Sequence, residues 1–367
     1  MSKELDLKKI DKNMDFDHNT ADGMDWYTID DAPFALDGLY WYTPGKPFRR
    51  LPEDVHVSEG VDYLAWHTAG VMARFCSDAD EIRVDVKITH ATPSDHMTMT
   101  CRSGFDLYVG SGTSKVYSKT TRFDFSKLEY IATVFGPAQK KKMREFTLHF
   151  PLYSHPEKLL IGVTAGAKIL PPSPWRDPRP VVVYGTSIQQ GGCASRPGMC
   201  HTNIMSRMLN RPFINLGFSG SGRGEPAAAE AIAEIEDPAA IVLDYDANAG
   251  VVGLRNTLSN FLDILRKKHP VTPILLVSRL PYSSEFSDED DCLEYRQQVT
   301  EIHLNELGRR REAGDKNIHF LDGSTLYGEA PSECTVDGAH ATDLGFYQIA
   351  RRMAPVIDRI INEAQER

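Results

Sequence analysis

The chain is 367 residues long, 41% hydrophobic and 25% charged, with a net charge of −10 at pH 7. This is the balance of a soluble globular protein with room for two domains or one large one, and the acid excess counts against a general nucleic-acid binder or a polybasic membrane anchor. No run approaches the roughly 18 consecutive apolar residues of a membrane span, and six scattered cysteines without a Cys-x-x-Cys pair argue for reduced thiols rather than disulfides or structural zinc.

Residues 1–25 are polar and charged and read as a tail; they lack the apolar stretch of a secretory signal, so a cytoplasmic location is expected. Residues 26–170 have the texture of strands. Apolar and polar residues alternate from Glu81 to Ile88, from Phe105 to Val109 and from Phe146 to Phe150, with turn residues between them. No amphipathic helix stands out there, and the pattern predicts a jelly-roll-like β-sandwich. The basic run Lys140, Lys141, Lys142 and Arg144 reads as a solvated turn or strand edge, and Tyr40-Trp41-Tyr42 as core or interface.

Residues 171–180 carry five prolines, which predicts a stiff, extended linker. Beyond it, residues 181–367 alternate short apolar strands with helices. Strands are predicted at Val181–Tyr184, Phe213–Leu216, Ala240–Asp244, Pro273–Val277 and Ile318–Leu321, and a last helix at Phe346–Ile361. Such alternation means an α/β domain: a parallel sheet with helices on both faces.

Active sites of open parallel sheets collect at the carboxyl ends of the strands. The loops there contain Gly185-Thr186-Ser187-Ile188, then Gly217 to Gly224, then Asp246-Ala247-Asn248, and finally Asp337-Gly338-Ala339-His340. The glycine loop lacks the G-x-G-x-x-G dinucleotide spacing, and no P-loop lysine follows it, which argues against a nucleotide-dependent oxidoreductase. Together the loops offer a set for acyl transfer. A serine sits at a strand-to-helix turn, a glycine N–H and an asparagine amide can meet an oxyanion, and a histidine has an aspartate three residues before it. His96, His201, His303 and His319 have no ligand spacing and are left out of the site.

The ordered blocks resemble the SGNH (GDSL-like) hydrolase superfamily. Gly104-Phe105-Asp106-Leu107-Tyr108 is similar to the GxDLY signature of an N-terminal domain in one bacterial subfamily, with the same order of β-domain, proline linker and Gly-Thr-Ser-Ile. Thr186 stands where the family usually has Asp, and Asp246 where it usually has Gly. The resemblance implies a flavodoxin-like hydrolase domain with Ser187 as nucleophile, His340 as base and Asp337 as its orienting partner. It selects Gly220 rather than Gly217, with Ser187 and Asn248, for the oxyanion. Arg223, Glu225 and Arg279 are candidates for the substrate pocket. The implied activity is hydrolysis of short acyl esters of carbohydrates or polyols, with no metal or organic cofactor. An acyltransferase using the same triad, and a non-catalytic carbohydrate-binding protein, are the alternatives. The expected partner is a small-molecule or oligosaccharide ester, not a nucleic acid or a membrane, and oligomeric state is left open.

Overall fold

The computed structural model describes residues 23–31, 33–89, 94–286 and 291–366. Most of the expected tail lies outside these residues. The first strand, β1 (Met24–Tyr27), begins inside the segment read as tail and pairs antiparallel with β9 (His155–Thr164).

The N-terminal half is built from two antiparallel sheets. One has the order β1-β9-β4-β7, with β4 at Ile82–Thr89 and β7 at Glu129–Phe135. The other runs β10-β3-β8-β5-β6, through Ile169–Leu170, Met72–Ser77, Arg144–His149, Asp106–Val109 and Val116–Thr120; β2 (Ala35–Asp37) adds to β3. β4 alternates buried and half-buried residues along its whole length, as period-two patterning requires of a strand with one face on a core. Val84, Val86 and Ile161 of one sheet meet Phe75, Leu107 and Phe146 of the other in a single apolar cluster, which makes the half a β-sandwich. Two short helices, α1 (Glu59–Leu64) and α2 (Met99–Ser103), depart from the all-strand expectation. Both fall below two turns, too short for a 3.6-residue periodicity to register in the sequence.

The C-terminal half holds a parallel sheet of order β12-β11-β13-β14-β15, with β11 at Val181–Gly185, β12 at Phe213–Gly217, β13 at Ala240–Asp244, β14 at Ile274–Val277 and β15 at Ile318–Leu321. Val181 and Val183 face one apolar cluster, with α4 (His201–Leu209) and α8 (Asp343–Gln365). Val182 and Tyr184 face a second, with α5 (Pro226–Ala233), α6 (Asp246–Lys268) and α7 (Asp291–Glu312). Burial on both faces explains why these strands read as unbroken apolar runs. Among the described residues, no helix is long and apolar enough to cross a membrane. Cys76, Cys101, Cys193, Cys200 and Cys334 are all free thiols.

The proline-rich segment is tied to both halves through two adjacent residues in its middle. Trp175 Nε1 donates to Asp37 at 2.9 Å, and the Arg74 guanidinium sits 3.9 Å from the Trp175 ring centre. On the other side, the Arg176 N–H donates to the Asn210 carbonyl at 3.1 Å. The halves also meet directly. Trp41 packs on the C-terminal core, and the Tyr40 hydroxyl accepts from the Glu236 N–H at 2.9 Å. Buried Arg50 donates to the carbonyls of Leu64 and His67 in its own half, and of Asn215 and Gly217 in the other.

Candidate active site

β11 delivers the chain to the crevice where the strand order reverses, between β11 and β13. A short helix, α3 (Ser187–Gln190), starts there. Thr186 caps it: its Oγ1 accepts from the Ile188 N–H, while Gln189 Oε1 accepts from the Thr186 N–H at 2.8 Å. This reciprocal capping box gives Thr186, in place of the family's usual Asp, a local task. Gln189 Nε2 in turn donates to buried Asp244 at 2.6 Å. Burial first, and then Asp246, push the Asp244 carboxyl well above the usual carboxylate range. The N–H of Ser187, as the first helical residue, has no carbonyl of its own helix to bond.

Asp337 and His340 lie on a turn closed by the bridge between Thr335 and Ala341, with Gly338 in a left-handed conformation at φ 91°. Asp337 Oδ1 accepts from the N–H groups of Ala339 at 3.0 Å and His340 at 2.8 Å. Asp337 Oδ2 lies 2.7 Å from His340 Nδ1, and His340 Nε2 lies 2.9 Å from Ser187 Oγ. Burial raises the Asp337 carboxyl, but the hydrogen bonds from the His340 and Ala339 backbone and the His340 ring outweigh it and bring it down to about 2. An ionised Asp337 can only accept, so Nδ1 carries the hydrogen of neutral His340 and the Nε2 lone pair faces the serine hydroxyl.

Ser187, Gly220, Asn248 and His340 line one cavity of about 320 Å³, with Ile188 and Tyr282 among its walls. Gly220 holds φ at 66°, which favours glycine at this loop position. The Gly217 N–H is already committed to Asn215 Oδ1 at 2.9 Å. Asn215 itself is buried, and its amide also holds the end of α3 through the Gln189 carbonyl.

Two expectations change. Asn248 lies in the first turn of α6 rather than in a loop, with Gly250 (φ 68°, ψ 174°) breaking the helical path two residues later. Its side-chain amide donates to the Phe218 carbonyl at 3.2 Å. Arg279 is not among the residues that line the cavity: it is 1% exposed, with its guanidinium paired to Glu285. Its N–H donates at 3.0 Å to buried Asp246, the residue standing at the family's glycine position. Arg223 and Glu225 line a separate groove of about 690 Å³ that shares Gly220 with the catalytic cavity. Glu225 accepts there from the Tyr184 hydroxyl and the Arg223 N–H.

Two residues that sequence reasoning passed over stand at the site. His96, from the β-sandwich half, has its ring centre 5.4 Å from that of His340, and its Nε2 3.9 Å from Asp337 Oδ2. Cys193, just after α3, is near enough to Asp337 that the carboxylate adds to burial in pushing the thiol up to about 12. Neither has a local sequence pattern; only the docking of the two halves brings His96 to the cleft.

Both halves of the chain match known families. The GDSL-like lipase/acylhydrolase family model matches residues 178–358, and the GxDLY model, the N-terminus of SGNH-hydrolase-type esterases, matches residues 24–169. The chain belongs to the SGNH (GDSL-like) hydrolases with a GxDLY N-terminal domain. A solved structure described as a GDSL-like lipase from Bacteroides ovatus is 27% identical, with a TM-score of 0.84 over 92% of this chain and 98% of that one. The salicylyl-acyltransferase SsfX3 of a tetracycline biosynthetic pathway is 21% identical, with a TM-score of 0.68 over 92% of this chain and 98% of its own. A family two carbohydrate esterase from Clostridium thermocellum shares the fold at 14% identity, with a TM-score of 0.54 over 81% of this SGNH hydrolase and 94% of its own chain. No curated protein matches the chain.

Proposed function

We propose that this SGNH hydrolase is a serine esterase that removes a short acyl group, acetyl foremost, from a carbohydrate or polyol ester through an acyl-enzyme. The observation that carries the reading is the hydrogen-bonded chain from Ser187 Oγ through His340 to Asp337, at 2.9 and 2.7 Å, opening on a small cavity. Ser187 Oγ attacks the acyl carbonyl carbon as His340 Nε2 takes the hydroxyl proton. Asp337 stabilises the imidazolium. The N–H groups of Ser187 and Gly220 and the Asn248 amide receive the oxyanion. His340 then gives its proton to the departing alcohol, and afterwards takes one from the water that cleaves the acyl-enzyme.

Ser219, Ala247 and Ala339 keep the cavity small, which suits a short acyl chain. The neighbouring groove, with Ser221, Arg223, Glu225 and Thr257, offers donors and acceptors to a hydroxyl-rich leaving group. Carbohydrate esterases among the structural relatives support the same substrate class. A panel of aryl esters of increasing acyl length, run beside acetylated sugars with released acetate as readout, tests the proposal. Activity that falls with chain length, together with release from sugars, fits it; a preference for long acyl chains contradicts it.

The acyltransferase SsfX3, of similar extent and fold, favours a second reading in which an alcohol resolves the acyl-enzyme. Product analysis with a competing alcohol separates the two: ester formed faster than free acid favours transfer.

A further inference from the structure

His96, Cys193, Asp337 and His340 each turn one possible metal-ligating atom into the same small space, all within 4.8 Å of one another. Two imidazoles, a thiol and a carboxylate form the ligand set of a borderline-soft divalent cation such as Zn²⁺; magnesium and calcium prefer all-oxygen shells. Bonds of about 2.0–2.3 Å place tetrahedral zinc ligands roughly 3.3–3.8 Å apart. Shifts of well under an ångström per ligand therefore close the cluster around an ion. Cys193 reaches it from a left-handed backbone at φ 72°, a conformation that a non-glycine residue holds only where the surrounding structure enforces it. His96, Asp337 and His340 keep about a quarter to a third of their side-chain surface exposed, which leaves an ion a path in.

We propose that this cluster is an inhibitory zinc-class site formed jointly by the β-sandwich and the hydrolase domain. Binding replaces the Cys193 thiol proton by the metal, with the proton passing to solvent, and ties up Asp337 and His340. If the ion takes Nε2 of His340, the lone pair that receives the serine proton is gone. If it takes Nδ1, the neutral ring carries its hydrogen on Nε2 and can only donate to Ser187. Either way general-base catalysis stops. The inhibition rests on the esterase reading above; the binding does not.

The test uses the full chain and zinc chloride. Micromolar zinc should abolish aryl acetate hydrolysis, a chelator should restore it, and magnesium should do neither. His96→Phe, which keeps a ring against His340, and Cys193→Gly, which suits the local backbone, should each raise the half-inhibitory zinc concentration about tenfold or more, relative to their own uninhibited rates. Calorimetry on Ser187→Ala reads binding without turnover and should show one zinc per chain, lost in the double variant Ser187→Ala/Cys193→Gly. Unaltered inhibition in both His96→Phe and Cys193→Gly overturns the proposal. So does the absence of zinc binding by Ser187→Ala, whether or not the wild type hydrolyses esters.

Discussion

Asp106 of the β-sandwich accepts a 2.6 Å hydrogen bond from Arg196 and a 2.9 Å one from the Gly198 N–H, both on the segment that leaves the nucleophile helix. The carboxylate is fully buried and also receives His149 Nδ1 at 2.9 Å. Burial raises its proton affinity, but His149 and Arg196 outweigh it and keep it below the usual carboxylate range. The Asp of the GxDLY signature is thus a clasp between the halves. Removing one partner of a buried ion pair strands the other charge. Asp106→Ala should therefore lower unfolding stability by about 3 kcal/mol or more. Thermal or denaturant unfolding checks this; a change within about 0.5 kcal/mol, the range of an ordinary surface substitution, would contradict it.

The β-sandwich should be indispensable even for a small soluble substrate. Besides Asp106, it supplies Arg50 to the carbonyls of Asn215 and Gly217, the Leu152 carbonyl to Gln190, and the Tyr153 hydroxyl to the Ser187 carbonyl. Residues 175–367 expressed alone leave these groups without their partners. We expect aggregation or a marked loss of aryl acetate turnover. A soluble, folded fragment as active as the full chain would make the sandwich an accessory module.

Much of this arrangement was legible beforehand because its signals are local. The apolar runs at Val181–Tyr184 and Ala240–Asp244 mark strands covered on both faces. The Asp337–His340 spacing fits a single turn, and the block order places Ser187, Gly220 and Asn248 near one crevice. What escaped depends on docking between the halves. His96 carries no pattern that links it to His340. The burial of Arg279 against Glu285 depends on a partner six residues away with no local pattern to mark it, and the helices α1 and α2 are too short to show a period.

Asn248→Ala removes the side-chain donor of the oxyanion set. Its loss should slow turnover by roughly 10²- to 10³-fold, with apparent substrate affinity far less affected, since the donor aims at charge that develops in the transition state. Steady-state kinetics separates the two quantities. A large rise in KM at unchanged kcat would instead assign Asn248 to substrate binding or to the start of α6.

Acid should destabilise the fold already above the usual carboxylate range. His67, His149 and His201 are buried, and burial foremost pushes them down to about 3, 4 and 3. In the unfolded chain they protonate near pH 6.5. Between those values the unfolded state binds more protons, so stability is full above about pH 6.5 and is lost as pH falls toward the folded values. His201 stacks on Phe346 at 5.8 Å, and among the described residues neither ring nitrogen has a partner, so a phenyl ring can replace it. His201→Phe should retain of the order of 2 kcal/mol more of its stability than the wild type between about pH 6.5 and pH 4.5. Melting curves across that range check this; parallel losses in the two proteins would contradict it.

The central claim, that Ser187 is the nucleophile of an acyl-enzyme cycle, is tested most directly by the rate of aryl acetate hydrolysis by Ser187→Ala. Ser187 is half-buried and belongs to none of the apolar core clusters, so the variant should fold as the wild type does. Turnover should fall on the order of 10⁵- to 10⁶-fold, as for the loss of a triad nucleophile elsewhere. A folded variant that keeps more than about a tenth of the wild-type rate would place the chemistry on another residue.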